Sequence, residues 1–362
     1  MKLLQLDWHK IHYTPISGLF GFLLKLLSFP YRWANRLHCI LYKYGIFKTL
    51  RLPGVVLSIG NITVGGTGKT PAVIMIAEWA KNNGFNVAVL SRGYGRKNRN
   101  KIIEVSNKKN ILTTAEEAGD EPVLIANALP GIPVIVSGSR HAGGLYAHKK
   151  FDTNFFILDD GFQHIKLHRD LNIVLMDASC PLGNGMLLPA GPLREPLCGL
   201  NRSDILIFSR SFNNNANING ILKPYTQNIP VFYANHVPES IIFGASEENE
   251  TLDYLQNRRV LCFAGIASPP KFFKTVESLG ANIIKTVAFQ DHHNFSDAEI
   301  DMLITFIYEK KTDIILTTGK DWVKLPDSVK SLPRVGFLKI SFKFNCNETE
   351  FFSIIMKIIK LE

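Results

Sequence analysis

A strand that runs into a glycine-rich turn and straight on into a helix constrains this chain more than any other local pattern. Residues 55–71 read VVLSIGNITVGGTGKTP. The apolar run supplies the strand. Gly65, Gly66 and Gly68 carry no Cβ, so backbone N–H groups of Thr63, Val64, Gly65, Gly66, Thr67 and Gly68 can close around phosphate oxygens. Lys69 is then placed to reach the β- and γ-phosphates, and Thr70 to set its hydroxyl on Mg²⁺ at the start of the helix. The pattern departs from G-x-x-x-x-G-K-[ST] at Thr63, which stands where the first glycine is usual. The side chain at that position shapes the entry to the turn and does not touch phosphate, so the cradle is expected to survive. The chemistry this predicts is binding of a nucleoside triphosphate.

A second strand end carries carboxylates. Residues 154–164 read NFFILDDGFQH, an apolar run ending in Asp159 and Asp160. In P-loop proteins an acidic residue at such a strand end holds the magnesium that bridges the phosphates. Adjacent strand side chains face opposite ways, so one of the two is expected to address the metal directly. Further apolar runs at 87–90, 134–136, 173–176 and 205–208 alternate with helical stretches such as 71–81 and 121–128. A second alternating series follows, with strands near 260–264, 283–287 and 314–317, helices near 271–279 and 297–309, and a final helix over 348–360. Continuous apolar strands alternating with helices predict an α/β fold with a mostly parallel sheet covered on both faces. Ligands then belong at the carboxyl ends of the strands. The polar stretch 210–220 marks a loop, and a junction falls between about 229 and 249. The predicted organisation is an amino-terminal segment over 1–50, a P-loop domain over 51–235, a smaller α/β domain over 236–347 and a terminal helix over 348–362.

Charge narrows the partners without choosing among them. Lys and Arg number 41 against 31 Asp and Glu, a formal charge of +10, which favours nucleotide, nucleic acid or an acidic membrane surface. The 5 cysteines are scattered with no C-x-x-C pair, which fits a reducing compartment and neither a disulfide framework nor a zinc site. Residues 16–29, ISGLFGFLLKLLSF, stop at Pro30 and are followed by a segment rich in Tyr, Trp, Arg and Lys. The run is too short to span a bilayer and lacks the flanks of a cleavable signal peptide. It reads equally as an interfacial helix, apolar face in the acyl boundary and cations on lipid phosphates, or as an amphipathic helix packed on the protein's own core.

Taken together the motifs resemble the tetraacyldisaccharide 4′-kinase family, the lipid A 4′-kinases of the Gram-negative envelope. The likeness covers nearly the whole chain. Beyond the phosphate loop it rests on SRGYGR (91–96), GDEP (119–122), DDGFQH (159–164), LLPAGPLREP (187–196), AGIASP (264–269), FQDHHNF (289–295) and TTGKDWVKL (317–325). Thr63 is usual in that family. The resemblance implies transfer of the γ-phosphoryl group of ATP to the 4′-hydroxyl of a tetraacylated glucosamine disaccharide 1-phosphate, forming lipid IV-A. It also implies two α/β domains joined by a hinge with the active site in their cleft. The amino-terminal helix would then lie on the cytoplasmic face of the inner membrane, where the substrate resides, with Mg²⁺ as cofactor and a monomer as the working form.

For the proton of the acceptor hydroxyl, the resemblance assigns Asp120 of GDEP with His292 of FQDHH, alongside Lys69 as the charge-stabilising residue. Viewed alone, Asp120 reads as a helix cap and His292 as part of a surface loop. Arg92, Gly93, Tyr94 and Arg96 of SRGYGR, with Gln163, His164 and Arg194, are expected on the substrate. Lys320 and Asp321, after the strand at 314–317, are expected near the nucleotide base. The family more often has an acidic residue where this chain has Gly319. Two other classes compete. A GTPase predicts an N-K-x-D motif, which the sequence lacks. A nucleic-acid-binding ATPase predicts a basic stripe with interleaved aromatics, whereas the basic residues here are dispersed outside the amino terminus and a patch at 96–101.

Overall fold

The strand, turn and helix expected at residues 55–71 anchor a computed structural model that describes residues 8–14, 17–94, 96, 102–211, 219–244, 249–308 and 312–360. Most of the polar loop, part of the predicted junction and most of the basic patch at 96–101 lie outside the described residues, as do Ile16, Gly95 and Glu309.

In chain order, α1 (Trp8–Tyr13) and the long α2 (Gly18–Lys43) precede β1 (Val55–Gly60), α3 (Lys69–Asn82) and β2 (Val87–Ser91). Next come β3 (Ile103–Ser106), α4 (Ala115–Ala118), α5 (Asp120–Ala128) and β4 (Val134–Val136). The chain continues through α6 (Arg140–Phe151), β5 (Phe155–Asp159), β6 (Leu171–Asp177), β7 (Ile205–Ser209), α7 (Asn219–Thr226), β8 (Val231–Phe243) and β9 (Asn249–Glu250). It ends with β10 (Arg259–Ala264), α8 (Pro269–Ser278), β11 (Asn282–Ala288), α9 (Asp297–Tyr308), β12 (Ile314–Thr318), α10 (Gly319–Trp322), α11 (Asp327–Lys330), β13 (Val335–Phe344) and α12 (Glu348–Lys360).

These elements form two compact units. One comprises Met1–Ser91, Ser139–Asn235 and Lys343–Glu362, the other Arg92–Gly138 and His236–Phe342. Residues 92–138, grouped on sequence with the phosphate loop, therefore belong with the second series, and the terminal helix with the first.

The sheet of the first unit runs β2-β5-β1-β6-β7-β8, with parallel pairing throughout. Five of its strands, β1, β2, β5, β6 and β7, have no exposed residue, as continuous apolar runs in a doubly covered parallel sheet should. Ile59 of β1 pairs in register with Asp159 of β5. The phosphate loop and the acidic pair thus leave neighbouring strands at the same end of the sheet. α2 does not stop at Pro30 but carries the proline inside one 26-residue helix. Proline removes one N–H from the ladder, and here the affected carbonyl belongs to the exposed Leu26, where water can satisfy it.

In the second unit β11-β10-β12-β13 are parallel neighbours. One face packs Val260, Cys262, Phe272 and Val276, the other Leu261, Phe263, Leu303 and Val335, as alternation along β10 requires. α5 packs on α10. A Cβ at Gly319 would lie 3.2 Å from Leu124 of α5, so a side chain there would need that leucine to shift by a few tenths of an ångström.

Candidate active site

In the first unit the phosphate loop is held from behind by segments that sequence spacing does not connect. Gly65 (φ 108°) and Gly68 (φ 81°) occupy conformations that L side chains rarely adopt, and Gly68 caps α3 so that Lys69 starts the helix. Asn61 donates to the Thr67 hydroxyl at 3.2 Å, and the Ser209 hydroxyl at the end of β7 donates to the Thr67 carbonyl at 2.8 Å. The 187–196 segment supplies the rest of the backing. Val64 N–H donates to Pro192 at 2.8 Å, Arg194 N–H to Ile62 at 2.8 Å, and Thr63 bridges Leu193. Tyr13 of α1 reaches the same loop, its hydroxyl donating to the Val64 carbonyl at 3.3 Å.

The charges of this cluster converge on Asp160. Arg194 donates to both of its carboxylate oxygens at 2.8 Å, and the Lys69 ammonium lies 3.5 Å away. Burial pushes the Asp160 carboxyl up, but Lys69 and Arg194 outweigh it and hold it below the ordinary value. Asp159 is buried and accepts from the Ser91 hydroxyl at 2.9 Å. Gln163 donates to the Asn61 carbonyl at 2.7 Å and to Glu195 at 2.8 Å, which ties DDGFQH to the phosphate loop and to PLREP. His164 closes the turn after β5, its N–H donating to Gly161 at 2.9 Å.

The second unit gathers a different set. His292 Nδ1 lies 2.9 Å from Asp120 Oδ2, although 172 positions separate the two residues in the chain. Asp120 opens α5 and is buried, and its carboxylate also accepts from the Glu121 N–H at 3.1 Å. The N-cap of α5 is Gly119, with no side-chain cap bond, so the carboxylate that sequence reads as a helix cap binds the histidine instead. Burial raises the Asp120 carboxyl, while the His292 hydrogen bond and the Lys320 charge bring it below the ordinary value. The Asp120 hydrogen bond raises His292, against burial and the Lys320 charge. His292 itself sits at φ 60°, a left-handed conformation that costs a non-glycine residue about 1–2 kcal/mol. Tyr94 is 80% exposed and its ring lies 6.2 Å from that of His292.

Lys320 and Asp321 separate on inspection. The Lys320 ammonium is 3.1 Å from His292 Nε2 and from Asp291, and 3.8 Å from Asp120 and Glu121. Asp321 is fully buried, accepting from Gly265 N–H at 2.9 Å and the Thr318 hydroxyl at 2.7 Å, and pairing with Lys324 at 2.9 Å. Its carboxylate is engaged in building the turn after β12. Arg92 is exposed, while Gly93 and Arg96 are buried. A Cβ at Gly93 would lie 2.6 Å from the Ala118 carbonyl, so glycine lets SRGYGR sit against the entry to α5. Sequence reading missed Ser209, Tyr13 and the Lys320–His292 contact, because each depends on tertiary pairing with no local signature.

Among the described residues no group of three or more His, Cys, Asp or Glu side chains forms a metal cage. The donor chemistry at the phosphate loop nevertheless fits magnesium, since Thr70 and Asp159 offer the hydroxyl and carboxylate oxygens that this hard cation prefers.

Comparison with known proteins gives a consistent result. The sequence model of the tetraacyldisaccharide-1-P 4′-kinase family, LpxK, matches residues 20–360. A tetraacyldisaccharide 4′-kinase of Geobacter metallireducens is 43% identical over 304 residues, covering 84% of this chain and 88% of the relative. One of Syntrophus aciditrophicus is 40% identical over 334 residues, covering 90% and 89%. The crystal structure of LpxK from Aquifex aeolicus in complex with ATP superposes with a TM-score of 0.78 at 34% identity, over 94% of this chain and 100% of that one.

Proposed function

This chain belongs to the tetraacyldisaccharide-1-P 4′-kinase family, and we propose that it transfers the γ-phosphoryl group of ATP to the 4′-hydroxyl of tetraacyldisaccharide 1-phosphate, yielding lipid IV-A. The observation that carries this reading is that a single family match over residues 20–360 takes in both the phosphate loop and the Asp120–His292 pair.

Phosphoryl transfer needs charge neutralisation, in-line positioning and an acceptor for one proton. Loop N–H groups, the α3 amino terminus and Lys69 neutralise the phosphates, with Lys69 exchanging Asp160 for phosphate oxygens. Thr70 and the Asp159/Asp160 pair would hold magnesium, which would supply further neutralisation of the phosphate charge. Asp120 takes the hydroxyl proton and His292 orients it. Arg92, Tyr94 and Arg96 meet the lipid's disaccharide and 1-phosphate, whereas Arg194, Gln163 and His164 act by fixing the acidic turn.

The reading extends to the membrane. In α2 only Gly21 and Leu24 are buried, while Leu19, Phe22, Leu26, Phe29 and Trp33 are each more than half exposed. No described helix is long and apolar enough to cross a bilayer. An exposed apolar face with Arg32, Arg36 and Lys43 exposed beside it fits a monomer resting on the cytoplasmic face of the inner membrane, where this lipid is presented. The test is transfer of radiolabel from γ-labelled ATP to tetraacyldisaccharide 1-phosphate in detergent micelles. Label appearing at the 4′ position supports the proposal, and an active-site-titrated preparation that labels no lipid overturns it.

A further inference from the structure

Within the phosphotransfer reading, we propose that Lys320 is a positioning residue for proton transfer: it fixes His292 as the neutral imidazole with its proton on Nδ1, so that Asp120 is held by a neutral ring and not by an imidazolium. The tautomer follows from donor and acceptor counts. A lysine ammonium has three N–H donors and no acceptor, and Nζ lies 3.1 Å from His292 Nε2. Nε2 must therefore present its lone pair. The ring proton stays on Nδ1, 2.9 Å from Asp120 Oδ2, and donates there.

The alternative state would place an imidazolium N–H against the ammonium at the same 3.1 Å and would tie Asp120 into a full ion pair. An ion-paired carboxylate is a weaker base. Asp120 draws His292 towards protonation, and Lys320 opposes it. The other charged groups around the pair are Asp291, 3.9 Å from His292 Nε2, Glu121, 3.8 Å from Lys320, and Lys324, whose charge also acts on Asp120. The Tyr94 ring lies 6.2 Å from that of His292.

The placement of Lys320 is built into the fold. Thr318 caps α10 by accepting from the Asp321 N–H at 3.2 Å, buried Asp321 binds the Gly265 N–H, and α10 packs on α5. On the same Gly265 the carbonyl accepts from His292 N–H at 3.2 Å. Lys320 and His292 are thus fixed to one turn, and the left-handed backbone of His292 is the conformation that turn imposes. In the reaction, the sugar oxygen forms a bond to the γ-phosphorus, the bond from that phosphorus to the β–γ bridging oxygen breaks, ADP leaves, and the hydroxyl proton passes to Asp120. His292 gains no proton in this step, because Lys320 occupies Nε2.

Two measurements test the assignment. In the free protein, ¹⁵N shifts of the His292 ring, identified by difference from His292→Gln, should report an unprotonated Nε2 and a protonated Nδ1 at about pH 8. In Lys320→Met the ring should titrate about one pH unit higher, a tenfold change in its protonation equilibrium. The acid limb of the kcat–pH profile should move by the same interval, with kcat depressed about tenfold below the midpoint and recovered on the alkaline side. KM for ATP should change less than about twofold, and Lys320→Arg, which keeps a cationic donor, should restore the profile. A proton found on Nε2 in the wild type overturns the proposal, whatever the variants do. So does an unmoved acid limb in Lys320→Met, or a loss of kcat that is uniform across pH. A wild-type protein with no kinase activity would overturn the function reading instead, and the ring shifts would still decide the contact.

Discussion

In the first unit one carboxylate, Asp160, is crowded by two cations, Lys69 and Arg194; in the second one cation, Lys320, is crowded by Asp120, Glu121, Asp291 and an imidazole. The two clusters are near mirror images in charge, and on the proposed function the difference matches what each would receive. A site for triphosphate keeps cations in reserve on a carboxylate that can release them to stronger anions. A site for a proton keeps carboxylates in excess and uses its cation to decide which group is the acceptor.

The sharpest way to break this division of labour is to remove one group from each side. Asp120→Asn should lower kcat about 10²- to 10⁴-fold, the usual share of a general base, with KM for ATP nearly unchanged. Lys69→Ala should lower kcat about 10²- to 10³-fold through lost charge stabilisation and should also weaken ATP binding. His292→Ala should depress kcat less than Asp120→Asn, and the double variant should lose less than the sum, because the two residues act as one unit. Steady-state kinetics with varied ATP and varied lipid separates these outcomes. If Asp120→Asn raises KM for ATP and leaves kcat intact, the two clusters do not divide the work as described.

The two regions also differ in how much of them can be read in the sequence. The phosphate loop is contiguous, so strand, glycines, Lys69 and Thr70 announce it within one window. The parallel sheet is equally plain, since strands buried on both faces leave continuous apolar runs. The proton site is assembled from α5, the turn after β11 and the turn after β12, and only likeness to a family joins Asp120 to His292 before the fold is known. Lys320 shows the limit: its neighbours are set by the contact between α5 and α10, which has no local signature in the sequence. The N-terminal helix was legible as apolar and basic, but its passage through Pro30 was not, because the cost of proline depends on whether the orphaned carbonyl faces water.

A smaller effect is expected from α2, where exposure separates membrane contact from packing. Leu23 and Leu27 are 47% and 57% exposed, whereas Leu24 is 6% exposed. Leu23→Asp with Leu27→Asp should release the protein from anionic vesicles in a flotation assay and leave its unfolding midpoint in place. Leu24→Asp should do the reverse, costing about 2–5 kcal/mol of stability as a buried leucine is lost. Vesicle binding that survives the double substitution would locate the membrane contact elsewhere and leave phosphate loop and proton site without their proposed anchor.

The smallest effects are in pH-dependent stability, and they separate the two clusters by sign. Asp160 titrates below its ordinary 3.8 in the folded protein, so it contributes stability that is present above the unfolded value and lost as pH falls through the folded one. Asp120 is shifted in the same direction, and both clusters therefore weaken on the acid side. His292 is shifted upward from 6.5, so its contribution is fully present below that value and is lost as pH rises through the folded pKa. Of these three groups only His292 has this neutral-to-alkaline loss. Urea midpoints measured across pH should show Asp160→Asn flattening the acid slope alone and His292→Ala flattening the slope above the ordinary histidine value. Lys320→Met should carry that second slope to higher pH, because removing the ammonium takes away one of the forces that oppose protonation of the ring. If His292→Ala keeps the neutral slope unchanged, the imidazole gains no net interaction from Asp120 on folding, and the pairing on which the second cluster depends is not formed in solution.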